Sequence, residues 1–563
     1  MQVPLNSFIY DKLTGIHSHP DNGCASFDYS DGLEVEERIF NILKETKDHG
    51  LFSRELCSYI TDWPTEYHFS PVRHNLLRHL NLKKTDKVLE LGCGCGAITR
   101  QLGESGANIT SIDGSTKRAK CAKERCSNLE NVNVYCSNFQ DILFDQQYDY
   151  VTLIGVLEYS SLFFKGNEPF KQCLEIAKSA LKKDGKLIIA IENRLGLKYI
   201  LGYSEDHTGK EYDGLNNFYD RNTAYTFGKK ELTDLLMQNG FEDINFAYPF
   251  PDYKLPKLVL FETAFTLNSF KASNLISSSI SRDYSFPSKV LPSDYFIWKQ
   301  LDMNKILPDL ANSFLIEASL SQIDNDESLI AKYYTVDRKC YYNTTTSFIN
   351  ENRQIKVLKK KIDSHIDNHK SNLVQVLQEE NYCEGDSLDY LIRKTIAKED
   401  LTEFAKLLKS WIDLLISKAI LKKNEINIFL SIINPKFIDC IPYNIIVNNY
   451  ELQVIDSEWA YYGTCTLYSL IIRYLSDLEL VRITHCIKGS KSPLHKLFQY
   501  LGIHFENKYY VEYSEMEREI IQSVYDECYS KIKGNYINNT PENFNYTRKI
   551  KLKIKNGIKI FLK

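Results

Sequence analysis

Residues 87–96, Lys-Val-Leu-Glu-Leu-Gly-Cys-Gly-Cys-Gly, constrain this chain more than any other stretch. An apolar strand is expected over 87–91. It runs directly into Gly92, Gly94 and Gly96, and a helix opens at Ala97. Such a turn needs glycine for two reasons. The chain must reverse with φ > 0, and a ligand must approach the backbone without meeting a Cβ. The helix N-terminus behind it offers free N–H groups to a polar ligand. Three glycines alone say little. Between a strand and a helix they point to an open α/β sheet that binds its ligand at the carboxyl ends of its strands.

The following strand ends narrow the ligand. A second strand, 107–112, ends at Asp113-Gly114, and an acid there accepts hydrogen bonds from ribose hydroxyls. A third, 132–136, ends at Ser137-Asn138-Phe139, where a polar side chain can read an adenine. A fourth, 150–154, ends at Gly155-Val156-Leu157-Glu158-Tyr159, and a fifth, 186–191, runs into Glu192-Asn193-Arg194. The glycine pattern is Glu-x-Gly-x-Gly-x-Gly, which is not the dinucleotide fingerprint.

Over residues 67–262 this set resembles the class I S-adenosylmethionine (SAM) methyltransferases; the alternative is a Rossmann-like domain for another nucleotide. The resemblance implies an α/β, Rossmann-like domain with a seven-stranded mixed sheet and SAM as cofactor. Glu90, Gly92, Gly94 and Gly96 would then cradle its methionine part, Asp113 and Gly114 the ribose, and Asn138 and Phe139 the adenine. Tyr67 and His68, just before the first strand, would cover the cofactor, with a purely structural role for His68 as the alternative. Segments 244–248 and 257–261 match the antiparallel pair that ends this fold family.

Methyl transfer is an in-line displacement in which the protein positions the acceptor and, for a hydroxyl, removes its proton. The polar segment 202–214, leaving the fifth strand, is expected to act as an acceptor lid. Candidate bases are His207, Asp206 and Glu158, with His207 first; its alternative role is to order the loop. A phosphate or carboxylate acceptor needs no base and would be held by Arg194 and Lys198.

The chain is long enough, at 563 residues, for two or three domains. Its net charge of -4 argues against nucleic acid as a partner. Fourteen cysteines in a chain that opens without a signal-like segment suggest a reducing cytoplasm.

A composition shift follows residue 265. Residues 266–282 are Ser-rich and Pro287 and Pro292 come soon after, so a linker is expected at 266–284. Beyond it, 313–318 and 329–334 read as strands, the latter with Lys332 as its lone cation, and 355–362 as a helix. Then come Asp439-Cys440-Ile441-Pro442-Tyr443-Asn444 and Ile455-Asp456-Ser457-Glu458-Trp459. Asp-x-x-x-x-Asn followed by a second Asp is the spacing of a kinase catalytic loop and its metal-binding acid.

Residues 312–475 resemble the aminoglycoside-phosphotransferase branch of the protein-kinase fold. The resemblance implies an α+β kinase-like domain over 285–520, using ATP and Mg²⁺. Asp439 would orient the attacking hydroxyl, Asn444 and Asp456 would hold the metal, and Lys332 would be the N-lobe lysine, with Glu384-Gly385 at the hinge. Phe437-Ile438 departs from that pattern, and no glycine-rich loop lies between 312 and 332. An active kinase and an inactive phosphotransferase-like scaffold therefore both stay open.

The tail 549–561 alternates lysine with apolar residues around Asn556-Gly557, a hairpin signal. It suits contact with an anionic membrane or a soluble, lysine-guarded edge. The expected organisation is an extension (1–49), a methyltransferase domain (50–265), the linker, the kinase-like domain and a basic tail (521–563). This order resembles bacterial enzymes that modify surface polysaccharides. It implies a glycan or phosphoglycan acceptor and work in the cytoplasm, on the inner face of the membrane. The alternatives are a small-metabolite methyltransferase with an inactive binding module, and a non-catalytic scaffold that holds SAM structurally.

Overall fold

The strands expected around the glycine turn form one sheet, joined by two strands of the N-terminal extension and by two from beyond the expected linker. In chain order they are β1 (Ile9–Asp11), β2 (Ile16–Ser18), β3 (Lys87–Leu91), β4 (Asn108–Asp113), β5 (Val132–Cys136) and β6 (Tyr148–Ile154). Then come β7 (Leu181–Glu192), β8 (Asp243–Phe250), β9 (Leu258–Phe261), β10 (Ser313–Ser319) and β11 (Leu329–Thr335). Their order across the sheet is β11-β9-β8-β10-β7-β6-β3-β4-β5-β2-β1. The strands from β7 through β6, β3 and β4 to β5 are mutually parallel. Central strands read as near-continuous apolar runs because both faces are covered. Val88, Leu89, Leu91, Val151, Leu153 and Leu187 are accordingly buried.

This computed structural model describes residues 2–21, 32–220, 222–279, 281–284, 293–323, 328–363, 371–488 and 492–525. The chain divides into two units: Met1–Leu267 with Leu275–Val336, and Asn268–Asn274 with Asp337–Lys563. The expected basic hairpin at 549–561 lies outside the described residues.

The division differs from the expected linker at 266–284 and domain start at 285. Strand β10 lies between β7 and β8, antiparallel to both, with Ser313 opposite Glu192 and Ala247 opposite Leu315. It belongs to the first unit's sheet. Segments 244–248 and 257–261 do pair antiparallel as expected, but β10 is inserted between β7 and β8, so that 257–261 lies on the outer side of β8. Strand β11, carrying Lys332, continues that edge, with Lys332 opposite Val259. The physical reason is saturation of the ladder. Strand β7 is twelve residues long and buried at Leu187–Ile191, so its free edge needs a partner, and the apolar run 313–318 supplies it. A large mixed sheet of Rossmann-like type results, wider than seven strands.

The N-terminal extension packs on this unit through helix α1 (Leu33–Glu45), whose Ile39 and Leu43 meet Cys121 of a later helix in one apolar cluster. Helix α2 (Trp63–Phe69) begins with Asp62 capping the Thr65 N–H. Helix α3 (Ala97–Glu104) follows the glycine turn, and α4 (Thr116–Arg125) follows the second strand tip with Ser115 as its cap.

In the second unit, β12 (Thr344–Glu351) and β13 (Gln354–Lys361) form a hairpin, and β14 (Glu379–Asn381) pairs with the other edge of β13. The expected helix at 355–362 is thus a strand. The two turn residues Asn352 and Arg353 both take positive φ (51° and 66°), as a tight primed hairpin turn demands. Helices α5 (Leu388–Ala397) and α6 (Leu401–Lys418) follow. In α6, Phe404, Leu408, Trp411 and Leu415 recur at helical spacing and are buried on one face. A second hairpin, β15 (Ile445–Asn448) and β16 (Glu451–Val454), precedes helices α7 (Leu467–Leu475) and α8 (Asn507–Val524). Trp411, Leu470, Ile471 and Tyr474 centre this core. Among the described residues no helix is long and apolar enough to cross a membrane.

Candidate active site

In the turn after β3, Gly92, Gly94 and Gly96 have φ of 80°, 52° and 82°. Their surroundings separate their roles. A Cβ on Gly92 would stand 2.5 Å from Val156 Cγ2, and one on Gly96 would stand 2.6 Å from Ala122 Cα. A Cβ on Gly94 would meet nothing within 4 Å. Gly92 and Gly96 let the chain pack, whereas Gly94 keeps a cradle open.

Asp113, at the tip of β4, closes one side of that cradle. Its carboxylate accepts the Gly94 N–H at 2.8 Å and the Ser115 N–H at 2.9 Å. Burial pushes its pKa up. Each carboxylate oxygen keeps a second lone pair for a ribose hydroxyl. Gly114 beside it is half-buried and leads into the α4 cap. Glu90 points into the protein, accepting hydrogen bonds from Thr99 and Ser111 hydroxyls at 2.7 Å each, and burial lifts it to about 7. Asn138 stands just before the short turn that starts at Phe139, without a side-chain capping bond, and the Phe139 ring lies 5.8 Å from that of Phe164.

Tyr67 and His68 lie at the end of α2. Arg73 stacks 4.6 Å over the Tyr67 ring, donates to its hydroxyl at 3.0 Å and donates to the Tyr253 carbonyl at 2.8 Å. His68 is buried, and its carbonyl accepts from Arg125. The Cys95 thiol of the glycine turn is pushed up by its hydrogen bond with Cys121 and by burial, and His68 beside it acts in the opposite sense.

The carboxyl ends of β6, β7 and β8 converge on a second set of groups. Glu158 follows β6, Glu192 ends β7, and Asp252, Tyr253 and Lys254 follow β8. Segment 204–207 brings Glu205, Asp206 and His207 among them. His207 Nε2 lies 3.4 Å from Glu192 Oε2, and its Nδ1 lies 3.1 Å from the Tyr159 hydroxyl. Lys254 pairs with Glu192 and, at 2.6 Å, with Asp206. Lys198 pairs with Asp206 at 2.8 Å and lies 3.8 Å from Asp252. Glu158 is fully buried, and neither of its side-chain oxygens has a hydrogen-bond partner among the described residues.

Electrostatics follow from the packing. Burial and the Glu192 charge both raise Glu158. Burial opposes ionisation of Glu192, but Lys254 and His207 overcome it and hold Glu192 well below the usual carboxylate range. Burial alone would lower His207, yet Glu192 takes it up to about 9. Residues 203–207 of the expected lid are therefore a packed, ion-paired wall, while 210–212 are exposed. The expected base His207 carries a tightly held proton at neutral pH, which makes it a poor base, and Asp206 is committed to two lysines.

Arg194 and Lys198 are likewise not free to hold an anion. Arg194 pairs with Glu231 and donates to Asn217 at 2.9 Å and Tyr225 at 3.0 Å. Sequence reasoning gave no role to Glu192 or Lys254. The signal was present, because β8 runs parallel to β7, which places 252–254 at the ligand-binding edge.

In the second unit the β15–β16 hairpin brings Asn444 next to Asp456, and the Asn444 carbonyl accepts the Ile455 N–H at 2.8 Å. Asn444 also donates to the Asp439 carbonyl at 3.1 Å, and Asp439 accepts the Trp459 N–H at 3.0 Å. Burial, followed by the nearby Asp456 and Glu458 charges against the pull of Arg473, raises Asp439 to about 7. Lys332 is in the other unit's sheet. Among the described residues the lysine that meets this loop is Lys359 of β13, paired with Asp456 and, at 2.9 Å, with Glu458, while Arg473 lies 3.7 Å from Asp439. Glu458 is also held by Arg338. Lys359 went unnoticed because its strand reads as a helix.

The sequence profile of a family described as a methyltransferase domain matches residues 82–240. The chain is 26% identical over 197 residues to a ubiquinone biosynthesis O-methyltransferase of Rickettsia conorii, covering 35% of this chain and 61% of that protein. It is 27% identical to an uncharacterized methyltransferase of Staphylococcus carnosus, over 29% of this chain and 74% of that one. A solved SAM-dependent methyltransferase of Thermotoga maritima, a possible histamine N-methyltransferase, aligns with a TM-score of 0.28 and 16% identity, over 51% of this chain and 99% of that one. With the glycine cradle and the acid at the second strand tip, the profile match defines a class I SAM-dependent methyltransferase domain. The chain is similar to O-methyltransferases over that domain, and spans less than two thirds of the length of the Rickettsia relative.

Proposed function

We propose that the protein O-methylates a neutral hydroxyl of a glycan or phosphoglycan acceptor. The observation that carries this reading is the orphaned, fully buried carboxylate of Glu158 at the strand ends, on the segment whose Val156 abuts Gly92 of the cofactor turn. Bound SAM supplies an electrophilic methyl group. Gly94 leaves room for it, Asp113 holds its ribose, and Asn138 and Phe139 flank its adenine.

The acceptor hydroxyl gives its hydrogen bond to Glu158, and its proton passes into this carboxylate cluster as the oxygen takes the methyl group. Lys254 and His207 hold Glu192 ionised beside it. Among the described residues, Glu158, Glu192, Glu205, Asp206 and Asp252 gather around Lys198, Lys254 and His207. An incoming phosphate would find Arg194, Lys198 and Lys254 already paired with carboxylates, which favours a hydroxyl.

The second unit fits a phosphotransferase-like role, with Lys359, Asp439, Asn444 and Asp456 arranged to grip ATP and Mg²⁺ and to prepare the acceptor. The test is transfer of labelled methyl from SAM to a panel of glycans, phosphoglycans and small phenols, with wild type and Asp113→Ala. Transfer to a sugar hydroxyl, lost in the variant, supports the proposal; transfer to phosphate oxygen, or none, overturns it. Transfer to phenols alone favours the second reading, a small-metabolite enzyme with an inactive second unit. That reading draws on the similarity to the ubiquinone biosynthesis O-methyltransferase.

A further inference from the structure

We infer that Glu158, Glu192 and His207 form a binding site for a divalent transition-metal cation at the acceptor end of the methyltransferase domain. One ligand atom from each of these side chains lies within 4.8 Å of the other two. The second observation is independent of that clustering. Glu158 is fully buried and neither of its oxygens has a hydrogen-bond partner, so the site contains a carboxyl group that nothing in the described protein satisfies. Leaving a buried carboxylate unpaired is costly, and a cation removes the cost.

The surrounding contacts are those of a ligand shell. His207 presents Nε2, which gives up its proton when a cation binds, while its Nδ1 lies 3.1 Å from the Tyr159 hydroxyl, which positions the ring. Glu192 turns Oε2 toward His207 and gives Oε1 to Lys254, which orients the carboxylate. His207 is braced further by its N–H donating to Glu205 at 2.8 Å.

One imidazole and two carboxylates suit manganese, iron, cobalt or zinc, and three protein ligands leave positions open. This inference rests on the hydroxyl-acceptor reading and deepens it. Glu158 holds the cation through one oxygen and receives the acceptor hydroxyl on the other, beside a positive charge that makes the hydroxyl more acidic.

The test uses the full chain, stripped with chelator and titrated with Co²⁺ without acceptor, followed by visible absorption and calorimetry. One equivalent should bind with a d–d band of nitrogen–oxygen ligation and no thiolate charge-transfer band. Affinity should fall at least tenfold in Glu158→Gln. SAM binding by the same samples reports that the variant is folded. His207→Gln, if folded by that measure, should lose the band. No stoichiometric Co²⁺ binding by SAM-competent wild type overturns the site, as does binding that Glu158→Gln leaves unchanged or that shows thiolate bands alone. Metal binding without methyl transfer to any hydroxyl leaves the site standing and sinks the acceptor reading; metal-free transfer at full rate does the reverse.

Discussion

Gly94 and Gly96 share a backbone conformation but not an environment. Alanine at either position pays the left-handed strain of about 1–2 kcal/mol. Only at Gly96 does the new methyl also meet backbone, at 2.6 Å from Ala122 Cα, adding an overpacking cost of about 1–3 kcal/mol. Gly94→Ala should therefore melt close to wild type yet lose SAM affinity by tenfold or more. Gly96→Ala should lose both, and calorimetry with thermal melts will separate the two. Glu90 makes a prediction of opposite sign to the usual carboxylate. Its folded pKa, raised by burial to about 7 from 4.5, means that ionisation costs stability. The cost is absent below about pH 4.5 and complete above about pH 7, reaching about 3 kcal/mol. Glu90→Gln in the SAM-free protein should melt above wild type at pH 8, and that advantage should vanish toward pH 5.

At the scale of elements, the sequence was most informative where one strand end follows another in register. The four tips after β3, β4, β5 and β6 were readable because parallel strands are buried runs closed by glycine or polar residues. The failures have a common cause. Strand β10 was assigned to the wrong unit because no local signal says which edge an apolar run will pair with. Strand β13 was read as a helix because its turn, Asn352-Arg353, takes positive φ without glycine. That second error displaced the lysine. Lys359→Ala should weaken ATP–Mg²⁺ binding at least tenfold if the second unit grips a nucleotide, whereas Lys332→Ala should leave it unchanged. Calorimetric titration of both variants decides the matter. The Glu158–Glu192–His207 cluster was only half visible, since Glu192 and Lys254 gain meaning only once β8 lies parallel to β7.

For the molecule as a whole, the division into units fixes where the chain can be cut. A fragment ending at residue 265 lacks β10, leaving a gap in the ladder between β7 and β8. It should be insoluble or unfolded, whereas a fragment of residues 1–336 should fold and bind SAM. Circular dichroism and SAM titration of the two fragments test this directly.

The same inserted strand has a bearing on synthesis. A growing chain can assemble the β3–β4–β5–β6 portion, and with it the cofactor cradle, long before residues 313–319 leave the ribosome. Strand β7, which carries Glu192, is paired with β6 alone and stays without its second neighbour until then. Non-local pairing of this kind is slow to form. The nascent protein thus acquires the means to hold a methyl donor before it acquires the wall that receives an acceptor, and a truncated product is left without that wall.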